Sequence, residues 1–198
     1  SAGSACFAQK QANIWYFGKN AGVDFNGGSP VALTDGLHDF DEGCATICDG
    51  KTGELLILTD GRQIWSGKTH GSMPNGTGLW NTGSSTQAAL IVPKPGGCDS
   101  IYYVFDAEGA SGGCASGTPQ CDYTYSIVDM KMNGGIGEVT KKNIPLFASV
   151  AEKQTAVHHA NGVDIWVIAH QLQSNAFYAY LVTADGVDTI PVISSVGA

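Results

Sequence analysis

The chain carries few charged residues, and positive charge is the scarcest. Lysine and arginine together number 10 in 198 residues, against 18 aspartates and glutamates, so the formal net charge is −8. This composition provides no basic stripe to neutralise the phosphates of a nucleic acid. Apolar runs also stay well short of the roughly 20 residues that a membrane-spanning helix needs. The sequence therefore predicts neither a nucleic-acid partner nor a transmembrane segment.

Signatures of bound metals and cofactors are also missing. The six cysteines form no C-x-x-C pair, and the five histidines are not spaced to complete a zinc site. The string Ser66-Gly67-Lys68-Thr69 is not a phosphate-binding loop, because Arg62 stands where that motif needs a glycine. We therefore predict no cofactor, no metal site and no identifiable catalytic residue.

Glycine, by contrast, is abundant. Twenty-seven glycines with only 14% charged residues are typical of many tight turns between short strands, so we predict an all-β fold. Residues 44–65 show the plan: an apolar strand, a polar turn, a second apolar strand, then Asp60-Gly61 and a third strand. The same plan recurs from Ala89 and from Ala156, with an insertion between these two repeats.

Repeats of roughly 40 to 50 residues built only of strands are typical of β-propeller blades. We predict a β-propeller of four-stranded antiparallel blades, either about four in number or a fragment of a larger, perhaps seven-bladed, ring. Residues 9–198 form this single domain. Residues 1–8 are a signal-peptide remnant or a flexible N-terminus, with small residues at Cys6 and Ala8 in cleavage-site positions, which favours export.

Strands are predicted at residues 13–17, 23–25, 30–33, 123–130 and 176–182, and residues 70–86 are predicted to be a surface loop. Among the cysteines, we predict a disulfide between Cys114 and Cys121, which would order the glycine-rich insert. Cys44 and Cys48 are about 13 Å apart on an extended strand, too far to bridge each other. They are interpreted as buried free thiols.

Acidic side chains suggest two possible sites. The segment 34–42 carries Asp35, Asp39, Asp41 and Glu42, whose oxygens suit calcium, but the spacing is not that of an EF-hand. Solvated turn carboxylates are the favoured interpretation. Four aspartates beside strands are candidates for the paired carboxylates of a glycosidase: Asp60, Asp106, Asp129 and Asp164. Four aromatic residues are core wedges or sugar platforms, with the core favoured: Trp80, Tyr102, Tyr103 and Trp166.

A resemblance to a known family covers nearly the whole chain from Gln11. The strings that carry it, in order, are NIWYFGKNAGVDF, GCATICDGKTGELLILTDG, MPNGTG, STQAALIVPKPG, YSIVDMKMNGGIGEVTKKNIPL, AVHHANGVDIWVIAH and SNAFYAYLVTADGV. Together they resemble the N-terminal propeller-like region of large secreted Bacteroidetes surface proteins. Proteins of that family often end in a gliding-motility-associated domain and leave the cell by type IX secretion. The resemblance implies a secreted or cell-surface protein.

Three functions fit these observations. The first is a non-catalytic module for adhesion, for glycan or protein binding, or for surface assembly. Its partner would be an extracellular glycan, a protein surface, another copy, or the remainder of the propeller. The second is an extracellular polysaccharide-degrading enzyme that uses paired carboxylates on a propeller scaffold. The third is a structural subunit of an extracellular filament.

Overall fold

The computed structural model of the chain describes residues 10–96, 100–108 and 122–197. These ranges contain a short 3₁₀ helix at Met132–Gly135 and the following strands: β1 (Ile14–Phe17), β2 (Ala21–Asp24), β3 (Val31–Leu33), β4 (Ala45–Cys48), β5 (Leu55–Thr59), β6 (Gln63–Ser66), β7 (Ser72–Thr77), β8 (Ala89–Pro93), β9 (Ile101–Ala107), β10 (Tyr123–Asp129), β11 (Glu138–Phe147), β12 (Val150–His158), β13 (Ile165–Gln171), β14 (Ala176–Thr183), β15 (Gly186–Val187) and β16 (Val192–Ser195). The predicted all-β class is confirmed.

The strands form four antiparallel sheets, each made from one continuous stretch of chain. Sheet 1 is β1-β2-β3, sheet 2 is β4-β5-β6-β7, and sheet 3 is β8-β9-β10-β11. Sheet 4 is β12-β13-β14-β15, with β16 also paired to β14. Within the described residues, short turns such as Gly18-Lys19-Asn20 connect neighbouring strands, and, apart from β14 and β16, each sheet pairs strands that are consecutive in the chain.

The four sheets stack face to face in chain order, and a separate apolar cluster fills each of the three spaces between them. Tyr16 and Leu58 meet between sheets 1 and 2. Ile57 and Val104 belong to the cluster between sheets 2 and 3, and Phe105 to the cluster between sheets 3 and 4. Because successive side chains of a strand point to opposite faces, β9 supplies both of its neighbouring cores, and the two middle sheets are buried on both faces.

Corresponding strands of successive sheets lie beside one another. The first strands follow in order, with β1 against β4, β4 against β8, and β8 against β12. The fourth strands of sheets 2 and 3, β7 and β11, are also in contact. The sheets are therefore stacked in one orientation, with all the first strands along one side.

One predicted loop is wrong. Residues 72–77 form β7, the fourth strand of sheet 2, and Met73 is buried in the cluster between sheets 2 and 3. The string Met73-Pro74-Asn75-Gly76 contains turn-forming residues, and this pattern predicts a loop. As the last strand of its sheet, β7 tolerates a proline, since a proline costs a ladder hydrogen bond only where a further strand would pair. Strand β11, which contains Pro145, was not predicted either.

The cysteine predictions have different outcomes. Cys44 and Cys48 are free thiols, half-buried and buried, as predicted. Burial raises the pKa of both thiols, so both stay protonated and unreactive near neutral pH. Cys114 and Cys121, the predicted disulfide pair, lie outside the described residues. Within the described ranges, no helix has the length and apolar character needed to cross a membrane.

The double burial of sheet 3 can be tested with Val104→Ala. Val104 is fully buried between sheets 2 and 3. Removing its two methyl groups leaves a cavity, so we expect the free energy of unfolding to fall by about 2 kcal/mol, measured by urea denaturation. Val163→Ala is the matched control, because Val163 lies in a turn and is 55% exposed. Equal losses for the two variants would contradict the packing.

Candidate functional site

A cleft with polar walls and a volume of about 610 Å³ lies between sheets 1 and 2. We call it the acidic cleft. Its floor is apolar and comes from both sheets: Ile14, Leu33, Leu55 and Leu56. Its polar walls carry six side chains with donor or acceptor groups: Tyr16, Asp24, Asp35, Glu54, Lys68 and His70. Ligand sites commonly combine a mostly apolar surface with a few convergent polar groups in this way.

Three separate elements supply the carboxylates of the acidic cleft. Asp24 ends β2, Asp35 follows β3, and Glu54 precedes β5. Each belongs to a turn or strand end, where aspartate and glutamate can accept local hydrogen bonds. Asp24 accepts from the backbone N–H of Asn26 at 2.7 Å, and Glu54 accepts from the Thr52 hydroxyl at 3.5 Å.

Tyr16 connects the apolar core to the acidic cleft. Its ring packs in the cluster between sheets 1 and 2, and its hydroxyl donates to Asp35 Oδ1 at 2.8 Å. Burial, followed by the hydrogen bond to Asp35, raises the pKa of Tyr16, so the phenol remains protonated. The His70 ring meets the Tyr16 ring edge-on at 5.3 Å. Lys68 Nζ is held at the rim by a 2.8 Å hydrogen bond to the carbonyl of Gly134.

An imidazole is buried behind this wall. The ring of His38 stacks on Phe40 and lies 4.4 Å from the ring of Trp65. Burial, with a further contribution from the charge of His70, lowers the pKa of His38. The side chain is therefore a neutral part of the aromatic packing at ordinary pH.

A second, apolar groove of about 700 Å³ runs along the side where the first strands lie. Trp15, Phe17 and Phe25 project into it from the face of sheet 1 that is turned away from sheet 2. Leu90 and Ile91 of β8 line its other side. Trp15 is 50% exposed and packs against Phe25 at 5.7 Å. Large apolar rings thus remain in contact with solvent at this end of the stack.

The outward face of sheet 4 also presents apolar side chains to solvent. Val157, Trp166 and Leu181 are directly opposite one another on β12, β13 and β14, so they form one cross-strand apolar row. Val157 is 55% exposed. Both ends of the stack, the outward faces of sheets 1 and 4, therefore present apolar side chains that we call the two end faces.

The structure brings together two of the four aspartates considered for catalysis. Asp60 and Asp106 both lie buried at the ends of their strands, beneath the connection between β7 and β8. Asp60 accepts from the Arg62 backbone at 2.9 Å and forms an ion pair with its guanidinium at 2.7 Å. Asp106 Oδ1 accepts from Asn81 Nδ2 at 2.7 Å. These bonds give both carboxyl groups structural roles.

A further buried carboxylate, Glu108, joins this network and was not singled out from the sequence. It accepts from the backbone N–H of Thr82 at 2.6 Å and from the Thr82 hydroxyl at 2.7 Å. The Ser85 hydroxyl donates to the carbonyl of Ala107 at 2.7 Å. These bonds tie the connection 78–88 to the end of sheet 3, and the backbone N–H of Leu79 ties it to sheet 2 by donating to the Arg62 carbonyl at 3.2 Å. We call these contacts the polar clasp.

The other two aspartates lie elsewhere. Asp129 pairs with Ile101 in the ladder between β9 and β10, at the opposite end from Asp106. It accepts from the Lys131 backbone in a turn at 2.9 Å. Asp164 accepts from Asn161 Nδ2 at 2.7 Å in the turn before β13. The four aspartates therefore do not form one site.

The acidic segment 34–42 also separates. Asp35 bonds Tyr16, Asp39 pairs with Lys19 at 3.5 Å, and Asp41 pairs with Arg62 at 3.8 Å. Glu42 accepts from the Ser84 hydroxyl at 3.2 Å. Across the part of the chain that the structure describes, no cluster of three or more His, Cys, Asp or Glu side chains is arranged to hold a metal ion.

The aromatic predictions are partly confirmed. Tyr102 and Tyr103 are buried in the two cores beside sheet 3, whereas Trp80 and Trp166 are half-buried. The exposed rings that matter most, Trp15 and Phe17, were not singled out. The signal was present in the string Ile14-Trp15-Tyr16-Phe17, because bulky apolar residues at four successive positions of a strand place apolar side chains on both faces.

Comparison of the chain with models of protein families, with curated proteins and with solved structures gives no match.

The polar clasp gives a pH-dependent prediction for Asp106→Asn. Burial raises the pKa of Asp106 well above its ordinary range, so the fold favours the protonated carboxyl. The favourable contribution of Asp106 is complete below its unfolded pKa of about 3.9 and is lost as the pH rises from there. Asparagine imitates the protonated form and keeps the bond to Asn81. We expect the variant to melt several degrees above the wild type at pH 8 and near it at pH 3.5.

Asp129→Asn is the matched control for this experiment. Asp129 ends β10 and accepts a backbone hydrogen bond from Lys131 that asparagine also accepts, so its variant should differ from the wild type much less than Asp106→Asn does. Thermal unfolding from pH 3.5 to pH 8, followed by circular dichroism, makes the comparison. A loss of stability at pH 8 with Asp106→Asn would mean that the ionised carboxylate is the stabilising form, contrary to our assignment.

Proposed function

We propose that this chain is part of an extracellular β-propeller and that the propeller is a non-catalytic module for binding and assembly at the cell surface. The single observation that carries the proposal is the pair of exposed apolar end faces on an ordered stack of sheets. The resemblance of its strings to secreted Bacteroidetes surface proteins supports the location. Binding at these faces is the function that the geometry supports best.

The arrangement of the sheets supports the propeller. Successive four-stranded antiparallel meanders pack face to face, with their first strands side by side, as blades do around an axis. The three-stranded sheet 1 and the five-stranded sheet 4 stand at the two ends of the stack. A stack of this kind has two terminal faces, and in a propeller each terminal face is covered by another blade.

The end faces support assembly with further β-sheet. Every interface within the stack joins two sheets through alternating apolar side chains, and both end faces continue that pattern. Contiguous exposed apolar surface is costly in water and usually marks an interaction site. We propose that additional antiparallel sheets cover both faces, so the module acts by protein–protein packing.

The enzymatic alternative has one observation in its favour, the proximity of Asp60 and Asp106 within the polar clasp. A glycosidase needs its two carboxyl groups on either side of a cleft that admits the sugar ring. Asp60 and Asp106 are instead buried and bonded to Arg62 and Asn81. Neither lines the acidic cleft or the apolar groove. The geometry therefore favours binding over catalysis.

Self-association tests the proposal. With its end faces uncovered, we expect the purified chain to associate with itself, with an average mass that rises with concentration in sedimentation experiments. A charge buried in such an interface is costly, so Trp15→Lys and Val157→Lys should each weaken association by roughly tenfold or more. Trp15 represents the end face on sheet 1 and Val157 the end face on sheet 4.

Leu37→Lys is the control for these variants. Leu37 is an apolar side chain with 70% exposure, but it lies in the loop after β3 and on neither end face. The Leu37→Lys variant should therefore sediment as the wild type does. A wild-type chain that stays monomeric at every concentration, or an equal effect of Leu37→Lys, would refute the assembly role.

Polysaccharide pull-down with product analysis separates binding from catalysis. Retention of protein by a surface glycan without any shortening of the glycan extends the binding role to carbohydrate. Shortening of the glycan that is lost in Asp60→Asn or Asp106→Asn would make the chain a hydrolase and overturn the proposal.

A further inference from the structure

We infer that the acidic cleft between sheets 1 and 2 binds the cationic side chain of a lysine or arginine from an extracellular protein partner. The inference rests on the proposed binding role and names the chemistry of one contact. The cleft takes its walls from the facing sides of two sheets and shares Tyr16 with the apolar groove. Its three carboxylates do not line the groove, so a covered end face would leave them accessible. Its volume of about 610 Å³ exceeds that of a single long side chain.

The charge on the walls selects a cation. Asp24, Asp35 and Glu54 face one cavity, and none of the three forms an ion pair within the described part of the chain. Asp24 is half-buried, and Asp35 and Glu54 are exposed, so their charges raise the local concentration of positive ligands at the cleft. The same charges repel an anionic ligand.

The cation on the wall does not cancel this charge. Lys68 Nζ is committed to the carbonyl of Gly134 by a 2.8 Å hydrogen bond. The three carboxylates and Lys68 together leave a net charge of −2 on the polar walls, the imidazole of His70 not being counted. The described side chains therefore leave negative charge in the cleft, which a positively charged ligand would neutralise.

The floor of the cleft selects an aliphatic stem beneath the charge. Leu33 comes from sheet 1 and Leu55 from sheet 2, and both present apolar surface below the carboxylates. Lysine and arginine bury their methylene stems on apolar surface while the charged head stays among polar partners. A small inorganic cation gains nothing from such a floor, and a neutral sugar brings no positive charge to the carboxylates.

Tyr16 orients one of the carboxylates that would bind the charged head group. Its hydroxyl donates to Asp35 Oδ1 and fixes that carboxylate in place, so Asp35 Oδ2 remains for a ligand. Asp35 Oδ2 has no hydrogen-bond partner among the residues that the structure describes. The rings of Tyr16 and His70 meet edge-on at this wall and add aromatic surface beside which a cation is stabilised.

Short probes test the assignment directly. Nα-acetyl-lysine amide and Nα-acetyl-norleucine amide have stems of nearly equal length and differ in charge. We expect the lysine probe to shift the NMR signals of His70 and of the leucines in the cleft in a saturable way. The norleucine probe should bind at least about fivefold more weakly. A higher salt concentration should reduce this difference in affinity, because the contact between the ammonium group and the carboxylates is partly exposed.

Asp35→Asn is the decisive variant, since asparagine keeps an acceptor for the Tyr16 hydroxyl and removes only the charge. We expect the Asp35→Asn variant to bind the lysine probe about five- to tenfold more weakly, which corresponds to the loss of one partly buried ion pair. Asp41→Asn is the matched control, because Asp41 lies in the same acidic segment but does not line the cleft. Thermal unfolding establishes that both variants are folded.

Three results would overturn the inference. These are equal affinity for the lysine and norleucine probes, equal effects of Asp35→Asn and Asp41→Asn, and tighter binding of glucosamine than of the lysine probe. The last would assign the cleft to an amino sugar. The test is independent of self-association, so a chain that stays monomeric yet binds the lysine probe would refute only the assembly role.

Discussion

Burial of both faces of the two middle sheets is the constraint on which the rest of the structure depends. Each sheet is a local meander that cannot bury its apolar faces alone, so it is stable only between neighbours. Val104 and Phe105 are adjacent in the chain and lie in two different cores. The stack is therefore held by contacts between successive sheets rather than by one central core. That mode of packing leaves its two terminal faces uncovered.

The polar clasp compensates for the absence of a single core. The connection between β7 and β8 bonds to the end of sheet 3 through Asn81, Thr82 and Ser85, and to the turn after β5 of sheet 2 through the backbone N–H of Leu79. Gly43 is packed so closely beneath it that a Cβ atom would come within 2.5 Å of the Ser85 carbonyl. Buried hydrogen bonds of this kind fix the relative position of two sheets more strictly than apolar contact does. Asp106 is buried as part of this support.

The two clefts of the molecule have different physical characters because they arise in different ways. The apolar groove lies where the first strands of sheets 1, 2 and 3 run side by side, and Trp15 and Phe17 remain exposed there. The acidic cleft lies between two sheets that pack, where turns and strand ends place carboxylates beside apolar side chains. We propose the first as a surface for more protein and the second as a pocket for a single charged group.

The sequence by itself determined the all-β class, the meander of residues 45–66 and most of the strands, because period-two apolar patterns and glycine turns act locally. It also indicated that Cys44 and Cys48 cannot bridge each other. Strand β7 was missed because turn-forming residues at Pro74 and Asn75 conceal an edge strand, and only tertiary contact with Met73 identifies it. The meeting of Asp60 with Asp106, and of Asp24 with Asp35 and Glu54, was decided by the stacking of sheets. Residues distant in sequence approach one another only when apolar faces are buried, and local patterns carry no record of which faces will meet.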